Sequence, residues 1–202
     1  MNRTPLIGLD LDNTLISYDK LFFACALEDG LIPASLVGDK TAVRDHLRES
    51  GREDVWTRLQ GEVYGARIME APMFADAFEA LSALQQDGFA MCLVSHKTRA
   101  PYLGADHDLR LAARNWLEEH GFFDEQGLGW TPEQVFFEST KAEKVARITS
   151  LGCTHFVDDL PEVLESLPDM TTKILFSPTG GSDARSDWLV LREWAQLPEL
   201  LR

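Results

Sequence analysis

Residues 6–14 read Leu-Ile-Gly-Leu-Asp-Leu-Asp-Asn-Thr, a short apolar run that ends in two aspartates spaced by one residue. An apolar run of this length is typical of a strand buried on both faces of a sheet. Asn13 tolerates left-handed backbone conformations, so it indicates a sharp turn directly after the strand. Burying the carboxylates of Asp10 and Asp12 is costly unless a cation is near, which indicates a metal or a strong chemical role. The alternative is a solvated turn whose two aspartates cap the next helix.

Four further apolar runs have the length of buried strands, and helical patterns lie between them; the runs cover 90–94, 135–137, 155–157 and 173–176. Alternating strands and helices predict an α/β fold with a three-layer, Rossmann-like core built on a parallel sheet. In such folds, ligands bind beyond the carboxyl ends of the strands. We therefore expect the polar residues that end the strands to meet along one edge of the sheet: Asp10, Ser95, residues 139–141, Asp158 and Asp159.

One long segment interrupts this alternation. Residues 18–71 show no strand pattern and three helical ones, over 20–28, 40–48 and 55–68. We predict that residues 18–71 form a small helical cap, inserted directly after the first strand. The core domain then comprises residues 1–17 and 72–202.

The amino-acid composition and net charge indicate which classes of binding partner to expect. The 202 residues are 45% hydrophobic and 26% charged, as in ordinary globular proteins. Nineteen basic residues against 33 acidic ones give a net charge of −14. A surface of this sign repels nucleic acid and anionic membranes at long range, so we expect neither as a partner. The sequence carries no information on oligomeric state.

The cysteines and the first fifteen residues indicate the cellular compartment of the protein. Cys25, Cys92 and Cys153 are far apart along the chain and each stands among apolar neighbours, which is typical of buried free thiols in a reducing compartment. Residues 1–15 combine a single basic residue with an apolar run that acids soon interrupt, so we expect no signal peptide there. We predict a cytoplasmic protein.

A second pair of acids follows the run at 155–157. Asp158 and Asp159 come directly after this apolar run and before Pro161 and Glu162. One interpretation is a helix N-terminus, where Pro161 and Glu162 are both favourable. The other is that two acidic strand ends reach the same edge of the sheet, where four carboxylates converge. Hard oxygen ligands of that kind suit Mg²⁺.

Together these motifs resemble those of the haloacid dehalogenase-like hydrolase superfamily. Its four motifs are matched in order over most of the chain: DLDNT with Asp10 and Asp12, LVSHKT with Ser95, ESTKAEK with Lys141, and FVDDLPE with Asp158 and Asp159. The helical segment between the first two motifs resembles the small, type-1 cap of that superfamily. The resemblance implies its Rossmann-like fold.

The resemblance also implies roles for these residues. Asp10 would attack a phosphoryl group as the nucleophile, and Asp12 would act as the general acid and base. Ser95 would donate a hydrogen bond to the phosphoryl oxygens. The metal would be held by Asp10, the Asp12 backbone carbonyl and the last motif, which leaves open whether Asp158 or Asp159 is the direct ligand.

Two lysines compete for the role of the cation in the third motif. Thr140 and Glu143 predict a capping box that opens a helix, which places Lys141 in the first turn after a strand. Lys144 lies one turn further on. Since a lysine in the first turn is better aimed at the edge of the sheet, we favour Lys141 over Lys144.

We expect the residues that determine substrate specificity to lie beside the second motif. Residues 96–107 are long for a connection between a strand and a helix, and are rich in hydrogen-bond donors. Such a loop favours substrates with additional anionic or hydroxyl groups, although an ordinary solvated loop has the same composition. We assign substrate binding to five residues: Thr14, His96, Lys97, Arg99 and Tyr102.

The motifs favour a Mg²⁺-dependent phosphatase that acts on the phosphomonoester of a small metabolite, a phosphosugar or a nucleotide-type compound, through an aspartyl-phosphate. By the same resemblance, dehalogenases lack an acid at the position of Asp12, because a halide needs no proton to leave. One alternative is a phosphomutase or phosphotransferase that uses the same intermediate. The other is a binding or regulatory protein that has kept the fold without turnover.

Overall fold

A parallel sheet forms the centre of the fold. The computed structural model describes residues 4–180 and 185–202. Six strands occur in these residues: β1 (Leu6–Leu9), β2 (Ala90–His96), β3 (Val135–Glu138), β4 (His155–Asp158), β5 (Thr172–Phe176) and β6 (Leu189–Leu191). They lie in the order β3-β2-β1-β4-β5-β6, and every neighbouring pair is parallel. The fold is therefore a Rossmann-like α/β sheet, as predicted.

Helices flank or separate these strands. Their bounds are α1 (Asp19–Glu28), α2 (Lys40–Glu49), α3 (Glu53–Tyr64), α4 (Ala77–Gln86), α5 (Leu109–Glu119), α6 (Lys141–Leu151), α7 (Pro161–Glu165) and α8 (Leu197–Leu200). None of the described helices has the length and apolar character needed to cross a lipid bilayer. The predicted capping box is present, since the Thr140 side chain accepts a hydrogen bond from the backbone N–H of Glu143.

The chain divides into two compact units. The first lies within Met1–Leu15, Met73–Lys97 and Gly121–Arg202, and the second within Ile16–Pro72 and Thr98–His120. The sheet belongs to the first unit. The second unit is helical and contains α1, α2, α3 and α5.

The first unit is held together by apolar side chains on the faces of the sheet. The register aligns Leu9 of β1 with Leu93 of β2 and with Val157 of β4. Gly8 of β1 leaves space for the Phe156 ring of β4, because a Cβ atom at residue 8 would stand 2.5 Å from that ring. Phe156 itself is fully buried. The register thus brings the ends of β1 and β4 side by side.

The second unit includes a segment that the sequence analysis assigned to the core. Residues 98–120 cluster with residues 16–72, because α5 packs on α3 and on the turn that follows it. The Trp116 indole donates a hydrogen bond to the carbonyl of Ala71 over 2.9 Å. Gly61 of α3 leaves space for Pro101, which a Cβ at residue 61 would approach to 2.8 Å. Such contacts between distant parts of the chain explain why the boundary differs from the predicted one.

Two local features differ from what the sequence predicts. The helix predicted over 55–68 ends at Tyr64, and Gly65 allows the chain to leave the helical conformation there. A separate 3₁₀ turn follows at Ile68–Glu70. The last strand, β6, was not predicted, because three apolar residues are too few for a pattern to show.

Candidate active site

The loop after β1 turns sharply and returns to the strand end. The backbone N–H of Asp10 donates to the carbonyl of Val157, which extends the contact between β1 and β4. Asn13 has a φ of 60°, as its residue type predicts. The turn brings the Thr14 hydroxyl to 3.4 Å from Oδ2 of Asp10 and 3.5 Å from Oδ1 of Asp159. Thr14, assigned to substrate binding, thus lies among the carboxylates in the structure.

Three carboxylates converge beyond the ends of β1 and β4. Asp10, Asp158 and Asp159 each offer a carboxylate oxygen, and these three oxygens lie within 4.8 Å of one another. Asp10 and Asp158 are buried, whereas Asp159 is half-buried. Oxygen ligands of this type and spacing are those that hard divalent cations prefer. The chemistry of these donors fits Mg²⁺.

A buried lysine lies against this cluster, and it is Lys144 rather than Lys141. The Lys144 ammonium is 2.6 Å from Oδ1 of Asp10 and 2.6 Å from Oδ2 of Asp158, and its side chain is 1% exposed. The side chain of Lys141 pairs instead with Glu162, and both of these are exposed. The choice of Lys141 was therefore wrong. The first turn of α6 directs Lys141 towards α7, and the next turn brings Lys144 to the end of β4.

Burial and neighbouring charges determine the ionisation of Asp158 and Lys144. Burial raises the pKa of Asp158 to about 7, while the ammonium of Lys144 acts against the rise and the charge of Asp10 adds to it. Burial alone would lower the pKa of Lys144, but the charges of Asp10 and Asp158 outweigh it and hold that pKa above its ordinary value. Lys144 therefore remains a cation at neutral pH.

A second buried lysine pairs with the second aspartate of the first motif. Lys97 follows β2, and its ammonium lies 3.0 Å from Oδ1 and 2.8 Å from Oδ2 of Asp12. The Lys97 side chain is 3% exposed. Lys97, which we predicted to bind substrate, is paired with Asp12 in the structure.

The charges of these groups do not cancel. When all four carboxylates of Asp10, Asp12, Asp158 and Asp159 are ionised, they and the ammonium groups of Lys97 and Lys144 carry a formal net charge of −2. A divalent cation would neutralise this charge. The charge balance thus agrees with the donor chemistry of the three-carboxylate cluster.

The serine of the second motif is buried without a partner. Ser95 is 1% exposed, and its hydroxyl has no hydrogen-bond partner among residues 4–180 and 185–202. An unpaired buried hydroxyl costs about 1–3 kcal/mol. The register places Ser95 level with Leu11, one residue beyond Asp10, so it lies at the same edge of the sheet. A ligand oxygen would satisfy this hydroxyl.

The remaining predicted residues have other contacts or are exposed. The His96 imidazole contacts the backbone carbonyl of Ser139 over 3.1 Å. Arg99 and Tyr102 belong to the helical unit, where Arg99 pairs with Asp108 over 3.2 Å and Tyr102 is 79% exposed. Substrate binding by His96, Arg99 and Tyr102 stays a prediction.

Solved structures of other proteins share the fold of this chain. YfnB from Bacillus subtilis, a HAD-hydrolase bound to magnesium, matches over 100% of both chains with a TM-score of 0.62 and 16% identity. A predicted phosphoglycolate phosphatase from Haemophilus somnus matches over 100% of both chains, with a TM-score of 0.60 and 17% identity. A dehalogenase with an intermediate complex matches over 99% of this chain and 98% of its own, with a TM-score of 0.61 and 14% identity.

The chain has the haloacid dehalogenase-like fold. No protein-family profile matches the sequence, and no curated protein matches it. Phosphatase and dehalogenase structures both share this haloacid dehalogenase-like fold, so the fold by itself does not choose between the two reactions. The choice depends on the side chains at the strand ends.

Proposed function

We propose that the chain is a Mg²⁺-dependent phosphatase that hydrolyses the phosphomonoester of a small metabolite through an aspartyl-phosphate on Asp10. The observation that carries the proposal is the convergence of Asp10, Asp158 and Asp159 at the ends of β1 and β4. The haloacid dehalogenase-like fold is compatible with it, because a predicted phosphoglycolate phosphatase shares this fold.

Asp10 is the group best placed to act as the nucleophile. One of its oxygens contacts Lys144 and the other lies near the Thr14 hydroxyl, so the orientation of the carboxylate is fixed from both sides. An attacking oxygen of Asp10 forms a bond to phosphorus as the ester oxygen leaves. The cation of Lys144 stabilises the negative charge that the phosphoryl group brings to this edge.

Asp12 favours phosphate esters over halides. An alkoxide is a poor leaving group, so the reaction needs a proton donor within reach of the ester oxygen. Asp12 stands two residues after Asp10, on the turn that Asn13 makes. In the first step Asp12 gives its proton to the leaving oxygen, and in the second it accepts a proton from the water that attacks phosphorus. A dehalogenase has no use for this acid.

The carboxylate cluster beyond β1 and β4 would hold the metal. When bound, Mg²⁺ supplies positive charge that offsets the repulsion between the phosphate and the aspartates. Asp10 and Asp159 are the better candidates for direct ligands. The oxygens of Asp158 already accept hydrogen bonds from Lys144 and from the backbone N–H of Leu160, so Asp158 orients the site instead.

Ser95 would bind the phosphoryl oxygens. Its buried hydroxyl has no partner among the described residues and lies at the same strand edge. Four expectations stay predictions. They are a small-metabolite substrate, the role of residues 18–71 as a cap, the lack of nucleic-acid and membrane partners, and the cytoplasmic location.

The test is phosphate release from a panel of phosphorylated sugars, nucleotides and small acids, with Mg²⁺ and with a chelator. We expect release by the wild type with Mg²⁺, and none by Asp10→Asn. Asp169→Asn, which changes an exposed aspartate in the same way, should behave as the wild type. Phosphate transfer to an added alcohol or sugar without net release would favour the phosphotransferase. Binding without turnover would contradict enzymatic function.

A further inference from the structure

We propose that Lys97 is a positioning residue that holds the Asp12 carboxylate in the orientation needed for proton transfer to and from the substrate. The inference rests on the proposed phosphatase function. It replaces the sequence-based assignment of Lys97 to substrate binding with a role inside the catalytic group.

The contact geometry supports this role. The Lys97 ammonium lies 3.0 Å from Oδ1 and 2.8 Å from Oδ2 of Asp12, so it bridges both oxygens of the carboxylate. A cation on both oxygens restricts rotation of the carboxyl group about its last bond. Each oxygen of a carboxylate has more than one lone pair, so Asp12 can still accept a proton on the side away from Lys97, and the resulting carboxylic acid can donate it there.

Both members of the pair are attached to neighbouring strands. The backbone N–H of Lys97 donates to the carbonyl of Glu138 over 2.8 Å, which continues the pairing of β2 and β3 one residue past His96. Asp12 stands in the turn after β1, the strand beside β2. A side chain fixed by the sheet in this way can hold a functional group more precisely than a loop lysine can.

Burial argues against a role for Lys97 as an open anion-binding group. The Lys97 side chain is 3% exposed, whereas that of Asp12 is 19% exposed. A buried ammonium is strongly unfavourable without a paired charge, so the Asp12 carboxylate is part of what allows Lys97 to be buried. The more exposed partner, Asp12, is the one that can reach a substrate.

The chemistry assigns Lys97 no proton transfer of its own. Asp12 must first take up a proton, from solvent before the first turnover and from the attacking water in later ones. As Asp10 bonds to phosphorus and the ester bond breaks, this proton moves to the leaving oxygen. When water later attacks phosphorus and the bond to Asp10 breaks, one proton of that water returns to Asp12. Lys97 keeps its protons throughout and fixes the direction in which Asp12 gives and receives its proton.

This role predicts an effect that depends on the leaving group. An alkyl phosphate needs a proton on its leaving oxygen, and 4-nitrophenyl phosphate needs it far less. A misplacement of about 1 Å in a catalytic group costs about a hundredfold in rate. We therefore expect Lys97→Met to lower kcat/KM about a hundredfold for an alkyl phosphate such as glycerol phosphate, and less than about tenfold for 4-nitrophenyl phosphate.

The experiment compares these two substrates in several variants with Mg²⁺ present. Lys97→Arg keeps the cation and should restore part of the alkyl phosphate activity, and it decides the question if Lys97→Met does not fold. In an Asp12→Asn background, Lys97→Met should no longer discriminate between the substrates. Lys173→Met, a lysine of β5 outside the carboxylate cluster, should retain wild-type activity with both.

The outcomes separate the two proposals. Equal losses with both substrates, or no loss, would overturn the positioning role while the wild type still releases phosphate. The same discrimination in the Asp12→Asn background would also overturn it, because Lys97 would then act without Asp12. Failure of the wild type to hydrolyse either substrate, or any of the metabolite panel, would overturn the phosphatase function and this inference with it.

Discussion

Replacing Lys144 with methionine tests the electrostatics of the carboxylate cluster. Methionine nearly keeps the length of the side chain but removes the ammonium that lies 2.6 Å from both Asp10 and Asp158. Removing one partner of a buried ion pair costs about 3–5 kcal/mol, because the remaining charges stay buried without compensation. Lys141→Met, three residues away on the same helix, should cost about 0–1 kcal/mol, since its pair with Glu162 is exposed.

The assay is chemical denaturation followed by circular dichroism at neutral pH, for the wild type and both variants. A chelator is present in one series and excess Mg²⁺ in the other. We expect Lys144→Met to lose several times more stability than Lys141→Met in the chelator. Mg²⁺ should recover part of that loss, because a cation bound to the folded state stabilises it. Equal losses in the two variants, or a loss below about 1 kcal/mol for Lys144→Met, would refute the reasoning.

Three further predictions concern single positions. Ser95→Ala should leave the free energy of unfolding unchanged or slightly raised, because the hydroxyl has no partner in the described chain. The same variant should lower phosphate release about tenfold to a hundredfold. A large loss of stability would contradict this prediction. Gly8→Ala should destabilise the protein by about 1–3 kcal/mol in denaturation, because its Cβ would stand 2.5 Å from the Phe156 ring, and Phe156→Leu in the same chain should relieve part of the loss; a neutral Gly8→Ala would show that the sheet has room. Burial lowers the pKa of His155 in the folded protein. As the pH falls through about 6.5, His155 therefore becomes protonated in the unfolded chain before it does so in the folded protein. The free energy of unfolding then decreases as the pH falls further. Denaturation of His155→Gln between about pH 7.5 and 5.5 should show a smaller loss than the wild type, and identical pH profiles would exclude this role.

Much of the fold follows from short patterns in the sequence. Runs of apolar residues between helical patterns are enough to predict β1 to β5, because strands of a parallel sheet are buried on both faces. Asn13 and the capping box at Thr140 are also predictable, since each depends only on neighbouring residues. The approach of Asp10 to Asp158 follows from the rule that ligand-binding residues lie beyond strand ends.

The remaining features depend on contacts between distant residues. Lys141 and Lys144 precede Ile148 by seven and four residues, so both share its helix face and the apolar pattern could not separate them. Lys97 follows a strand and lies in a polar stretch, a pattern that predicts an exposed side chain. The side chain is buried because the backbone of residue 97 still pairs with β3 and its ammonium pairs with Asp12. The grouping of residues 98–120 with the helical unit likewise depends on packing against α3.

The central claim is that the Asp10 carboxylate forms a covalent bond to phosphorus. The most direct test is to quench the protein in acid during turnover of a phosphorylated substrate with Mg²⁺ and to map phosphorylated peptides by mass spectrometry. The account predicts one acid-stable, hydroxylamine-sensitive phosphoryl group on the peptide that contains Asp10, and none in Asp10→Asn. Turnover of the substrate with no phosphoryl group on that peptide, or with one on another residue, would contradict it.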